Sequence, residues 1–203
     1  LRWGHRMSLV TLPVAFKPVT CSLKLAVNQR VSAAPFGGSE QAVDLLNDRW
    51  LMTCELSPRA MADGAWVEAF IGAMRGQTNT TSVYHFARPQ PAGTVRGTLT
   101  LNAPASQGDS SIVITGCSPS TGTLKAGDMI GVSGLLLMVK DDCTAVAGVI
   151  TVPLTNALRK ALSSGASVTW DSPTMIARLL ATSDVGYEPA IAQGVTFDFG
   201  EAI

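Results

Sequence analysis

The chain has 203 residues, 46% hydrophobic and only 15% charged, with 15 Lys+Arg balanced by 15 Asp+Glu. Zero net charge without a basic run argues against nucleic acid as a ligand, because neutralising phosphates takes clustered Lys and Arg. No apolar run approaches the roughly 18 residues of a membrane-spanning helix, so no membrane insertion is expected.

This length accommodates one large or two small domains. So low a charge content implies that part of the exterior is covered by partners. The plainer alternative is a monomer with a neutral, Ser/Thr/Gly-rich surface. Residues 1–6, which include Trp3 and His5, lack the long apolar centre and small-residue exit of a signal peptide. Met7 is the more natural start, which would make them an upstream extension or a processing remnant.

Residues 8–16 form a short apolar lead-in broken by Pro13. Residues 20–32 alternate, with Cys21, Leu23, Leu25 and Val27 on one side, and predict one half-buried strand. Val31 and Phe36 flank a small-residue turn, and Gly37-Gly38 reads as a hinge or loop. Asp48–Leu56 predicts a strand that buries Trp50, Met52, Cys54 and Leu56 and exposes Arg49, Thr53 and Glu55.

One short helix is predicted over about 63–75. Asp63 is its N-cap candidate, since a carboxylate can accept from the free N–H groups of the first turn. Trp66, Phe70, Ala73 and Met74 form its apolar stripe. Arg75 suits the negative end of the helix dipole, and Gly76 a left-handed stop. Ser82–Phe86 predicts a second strand. Asn79-Thr80-Thr81 matches a glycosylation acceptor and is read as chance. Pro89 and Pro91-Ala92-Gly93 mark a boundary.

From Gly97 to Trp170 the texture changes to short strands separated by turn residues. They are expected at Leu99–Leu101, Ser111–Ile114, Met129–Val132, Leu135–Val139, Val149–Val152 and Ser167–Trp170. Lys125-Ala126-Gly127-Asp128 and Ser133-Gly134 are turns, and Asn156–Leu162 one helical turn. Such spacing predicts a small all-β barrel or sandwich. The final segment places Ile176, Leu179 and Leu180 before a loop at 183–186. Val195, Phe197 and Phe199 then alternate in a closing strand.

No motif carries chemistry. His85 sits among aromatic strand residues and reads as a locally bonded histidine rather than a base. Gly131-Val132-Ser133-Gly134 is a turn between strands and opens no helix, so it is no phosphate cradle. Asp141-Asp142 and Glu188 are acid/base candidates by residue type alone. Trp3, Trp50, Trp66 and Trp170 could line a sugar platform, but Trp50 and Trp66 fall on predicted core positions. Cys21, Cys54, Cys117 and Cys143 are widely spaced, with no paired zinc ligands, and read as reduced thiols. Neither a catalytic site, nor a metal, nor a cofactor is expected.

Taken in order, these motifs form a pattern. Gly37-Gly38 with Gln41, then Arg49-Trp50, then Trp66, Phe70 and Gly76, then an aromatic strand, resemble a recurrent signature of bacteriophage tail-tip proteins. The stretch around Gly127-Asp128, then Gly148 through Pro153-Leu154, then Gly165–Val168, resembles the accessory barrel of the same proteins. The family resembled is the distal tail proteins of long-tailed phages, and the resemblance covers roughly residues 36–180.

It implies a mainly β chain. Residues 1–96 and 173–203 would form an α+β ring domain, a β-sandwich or sheet with one short helix. Residues 97–172 would be an inserted small β-barrel, OB-like or a sandwich. The implied role is structural, not enzymatic: a homo-oligomeric ring, a hexamer first, at the distal end of the tail tube. The implied partners are further copies of the chain, the tail tube protein, and the tail hub with its neighbouring tail-tip proteins. The implied location is the virion tail tip, after folding in the host cytoplasm. Two other readings stand beside it: a tail-completion or connector ring elsewhere in the virion, and a carbohydrate-binding attachment module with exposed aromatics around Trp170 or Tyr187.

Overall fold

The computed structural model describes residues 7–33, 37–38, 40–45, 47–181 and 183–202. Trp3, His5 and Phe36, and the question of an extension over residues 1–6, lie outside the described residues. The protein is mainly β, with one helix among the described residues.

The elements run β1 (Leu9–Val10), β2 (Thr20–Ala26), β3 (Gln29–Ala33), β4 (Glu40–Asp44), β5 (Arg49–Leu56), β6 (Arg59–Ala60), α1 (Met61–Met74) and β7 (Thr80–Tyr84). Then follow β8 (Leu99–Leu101), β9 (Ser111–Thr115), β10 (Thr123–Leu124), β11 (Met129–Val132), β12 (Leu135–Met138), β13 (Cys143–Thr144) and β14 (Val149–Pro153). The last are β15 (Ser167–Thr169), β16 (Thr174–Leu179), β17 (Tyr187–Glu188), β18 (Ile191–Ala192) and β19 (Val195–Glu201). They form two compact units.

The first unit takes the chain up to Lys24, Trp50–Pro89 and Ser172–Ala202. Its sheet has the order β1-β7-β16-β19-β5-β2. The β1–β7 pair is parallel; β7–β16, β16–β19 and β19–β5 are antiparallel. Period-two alternation sets the inner face. β5 buries Trp50, Met52, Cys54 and Leu56, and β19 adds Val195, Phe197 and Phe199. Phe16, from the lead-in, sits edge-on to Phe197 at 5.3 Å and to Phe199 at 6.0 Å, and 6.2 Å from Phe70 of α1. Helix, sheet and lead-in thus share one aromatic core.

The helix differs from expectation in three ways. It starts at Met61 after Ala60, which makes no side-chain cap bond, so Asp63 lies within the first turn instead of capping it. There its charge still complements the helix dipole. Its buried face is Gly64, Val67, Phe70 and Met74, while Trp66 is 64% exposed. The cause is close approach: a Cβ on Gly64 would lie 2.3 Å from the Cβ of Ala192 in β18. The small side of the helix therefore faces the β17-β18-β6 sheet, and bulky Trp66 is turned away. Finally, Arg75 itself takes the left-handed cap (φ 49°), with Gly76 continuing at φ 66°.

The second unit takes Leu25–Arg49 and Gln90–Asp171. Its main sheet has the order β12-β11-β15-β8-β9-β14, all antiparallel. The two edges meet: Val139 bridges Leu154, Lys140 N–H donates to the Pro153 carbonyl, and Thr155 N–H donates to that of Met138. The sheet therefore curls back on itself, and its two edge strands join at this corner. Leu99, Leu101, Ile112, Ile114, Ile130, Val132, Leu137, Ile150, Val152 and Val168 belong to its buried core. The short strands expected between Leu99 and Thr169 are present within a residue of their expected ends.

Asn156–Leu162, expected as a helical turn, is irregular. Asn156 is buried there, and its side-chain amide holds β12 by accepting from Met138 N–H and donating to the Leu136 carbonyl. A side chain that bonds distant backbone competes with a local helix. Residues 20–32, expected as one strand, form β2 and β3. β3 turns instead to pair with β4, Val31 opposite Ala42 and Arg30 opposite Val43. The strand expected at Ser82–Phe86 is drawn forward to Thr80–Tyr84, because Thr80 and Thr81 pair with β1.

Candidate functional site

The residues singled out by sequence do not converge on one place. Trp50 and Phe70 are buried in the core of the first unit. Gly76 and Arg75 end the helix there, and Trp66 lies on its exposed side. Gly37 and Gly38 lie between β3 and β4, with Gly38 at φ 62°, and Gln41 stands exposed on β4 opposite Ser32. Arg49 opens β5 and is exposed.

In the second unit four of them gather at the seam of the curled sheet. Gly127 N–H donates to the carbonyl of Val139, the residue that bridges Leu154, and Pro153 accepts from Lys140. Asp128 is buried, and its carboxylate accepts from the backbone N–H groups of Ala92 (2.7 Å), Gly93 (3.1 Å) and Lys125 (2.8 Å). It ties the entry of this unit to the seam, a structural task.

Of the groups considered for chemistry, Asp141 is exposed, whereas His85, Asp142 and Glu188 are engaged structurally. His85 is buried just past β7, and its Nδ1 accepts from the backbone N–H of Arg88 at 3.1 Å. Burial first, then the Arg88 charge, lower its basicity below the ordinary histidine value. The Asp142 carboxylate pairs with Lys125 at 2.7 Å and accepts from Ala126 N–H at 2.9 Å. The Lys125 hydrogen bond holds Asp142 below the usual carboxylate range. Glu188 accepts from the Gln193 side chain. The Trp170 indole donates to the Gly97 carbonyl at 2.9 Å, and the Arg96 guanidinium covers its ring at 4.8 Å. Tyr187 donates to Glu68 at 3.0 Å. Asn79, the apparent glycosylation acceptor, bonds Ser8 N–H and the Ala73 carbonyl. Among the described residues no cluster of His, Cys, Asp or Glu could hold a metal ion. No helix among them is long and apolar enough to cross a membrane.

What remains is surface. The β3–β4 hairpin exposes all ten of its strand residues. Val31 shares one face with Ala33 and Ala42, and Val43 shares the other with Arg30, Ser32 and Gln41. Val27 and Leu45, which flank the hairpin, are 52% and 49% exposed. A lone two-stranded hairpin is marginal in water at best, because neither face buries enough apolar area to offset backbone ordering. The first unit carries a second apolar feature, a cleft of about 490 Å³ lined by Pro13, Val14, Ala15, Lys17, Asp63 and Trp66. Val14 is 94% exposed there.

Sequence reasoning missed both. The hairpin was hidden inside an assumed single strand over 20–32, though Val31, Val43 and Leu45 among polar neighbours were its signal. The cleft was hidden by placing Trp66 in the core. No protein-family model and no curated protein matches the chain.

Proposed function

We propose that the protein is a structural, ring-forming component of a phage tail tip. It closes a homo-oligomeric ring, a hexamer first, at the distal end of the tail tube and links the tube to the hub and neighbouring tail-tip proteins. In this reading residues 97–172 are a barrel inserted into the ring domain. The single observation that carries it is the fully exposed β3–β4 hairpin, an element that its own chain leaves uncovered. Ring closure needs such a heterologous contact, repeated by rotation. Low charge content and the structural engagement of His85, Asp142 and Glu188 point the same way. The motif resemblance supplies the tail-tip context.

A carbohydrate-binding role gains less support, because Arg96 covers the Trp170 ring that would serve as a platform. The test is the mass in solution by light scattering after gel filtration, at several concentrations, with and without purified tail tubes. A species of about six protomers, or ring-sized density on tube ends, supports the reading. A monomer at every concentration that ignores tubes overturns it.

A further inference from the structure

Cys21 and Cys54 lie on neighbouring strands, β2 and β5, with their sulfurs 3.8 Å apart and the Cys54 thiol donating to Cys21. Cys54 is fully buried, whereas Cys21 is partly exposed. We propose that this pair is a thiol–disulfide exchange site that takes small-molecule disulfides of the glutathione class and closes to a cross-strand disulfide between β2 and β5.

The two sulfurs divide the roles by position. The hydrogen bond from Cys54, helped by weaker ones from the backbone of Phe86 and Ala87, outweighs burial and brings Cys21 down to about 7. Its thiolate is thus abundant near neutral pH, and the thiolate is the nucleophile. The same hydrogen bond, with burial, pushes Cys54 up and keeps it a thiol.

The exchange runs in two displacements. The Cys21 thiolate attacks one sulfur of the small disulfide and expels one thiolate, leaving a mixed disulfide. In the mixed disulfide Cys21 no longer carries the charge that held the Cys54 proton; Cys54 loses that proton to solvent, its thiolate attacks the Cys21 sulfur, and the second small thiolate departs and takes up a proton. Two cysteine thiols become one disulfide, and one small disulfide becomes two thiols. The sulfurs need only close from 3.8 Å to a bond of about 2 Å. Cys117 and Cys143 are built otherwise: burial raises both, and neither donates to or accepts from another thiol at this distance among the described contacts.

The experiment treats the reduced full chain with oxidised glutathione near neutral pH and follows each cysteine by quenching and peptide mapping. Cys21 should react at least about tenfold faster than Cys143, as thiolate fraction demands. Wild type should accumulate a linked Cys21–Cys54 peptide, and Cys54→Ser should stop with glutathione held on Cys21. Reaction of Cys21 no faster than Cys143, or wild type that retains glutathione on Cys21 without forming the linked peptide, would overturn the proposal. Both readouts exist in wild type, so a variant that misfolds does not remove the test.

Discussion

The side-chain carboxylate of Glu201 accepts a hydrogen bond at 3.0 Å from the backbone N–H of Trp50, a residue 151 positions earlier. Both residues are buried, Glu201 at 4% and Trp50 at 2% exposure. The bond joins the end of β19 to the start of β5, where their ladder runs out at Gly200–Leu51. Removing a charged acceptor from a buried N–H costs roughly 1–3 kcal/mol. Glu201→Ala should therefore lower the urea midpoint of the first unit, and Glu201→Gln, which keeps an acceptor oxygen, should lower it less. Equal losses in the two variants would mean that the bond contributes nothing beyond side-chain packing.

The helix offers a matched pair of aromatics. Phe70 is 3% exposed and meets Phe16 and Phe197, while Trp66 is 64% exposed. Phe70→Ala should cost roughly 3–5 kcal/mol, as large core deletions do. Trp66→Ala should stay within about 0.5 kcal/mol, as surface changes do. Chemical denaturation of both variants at low protein concentration checks the orientation of α1 directly. A large loss at Trp66 would place the wrong helix face in the core.

His85 should make stability depend on pH in a known direction. Its folded basicity lies below the ordinary value near 6.5, chiefly through burial. Above that value both states are neutral and the group has no effect. As pH falls through it, the unfolded chain takes up a proton that the folded chain resists, so folding weakens. Protonation would also take away the Nδ1 lone pair that receives the Arg88 N–H. The denaturation midpoint of wild type should fall more steeply between pH 7.5 and 5.5 than that of His85→Gln. Parallel slopes would show that His85 titrates alike in both states.

The two faces of the β3–β4 hairpin can be tested apart. Val31 is 53% exposed on one face and Val43 is 45% exposed on the other. An aspartate at either position leaves nothing buried within the chain, so monomer stability should change by less than about 0.5 kcal/mol. In an assembly the same charge would be buried unpaired, at a cost of several kcal/mol per contact. Val31→Asp and Val43→Asp should separate on gel filtration, the face used in the ring losing assembly and the other keeping it. Full assembly in both variants would remove the hairpin from the interface.

The sequence by itself determined the class of this protein and much of its core. Alternation in β5 and β19 marked Trp50, Met52, Cys54, Leu56, Val195, Phe197 and Phe199, and all are buried. Turn residues every few positions between Leu99 and Thr169 announced a small β unit, because Gly and Asp turns and period-two burial are local properties that a single strand already displays.

Tertiary structure decided what local pattern leaves open. Helix α1 carries small apolar residues on every side, so its periodicity could not choose between Trp66 and Val67; the close approach of Gly64 to Ala192 did. Residues 20–32 alternate continuously, and only the pairing of β3 with β4 ended one strand and began another. Asp128 and Glu201 look like surface acids until partners from distant segments surround them. Cys21 and Cys54, 33 residues apart, acquired a shared proton only when β2 came to lie beside β5. In each case the deciding contact joins residues far apart in the chain, and no window of neighbouring residues contains that information.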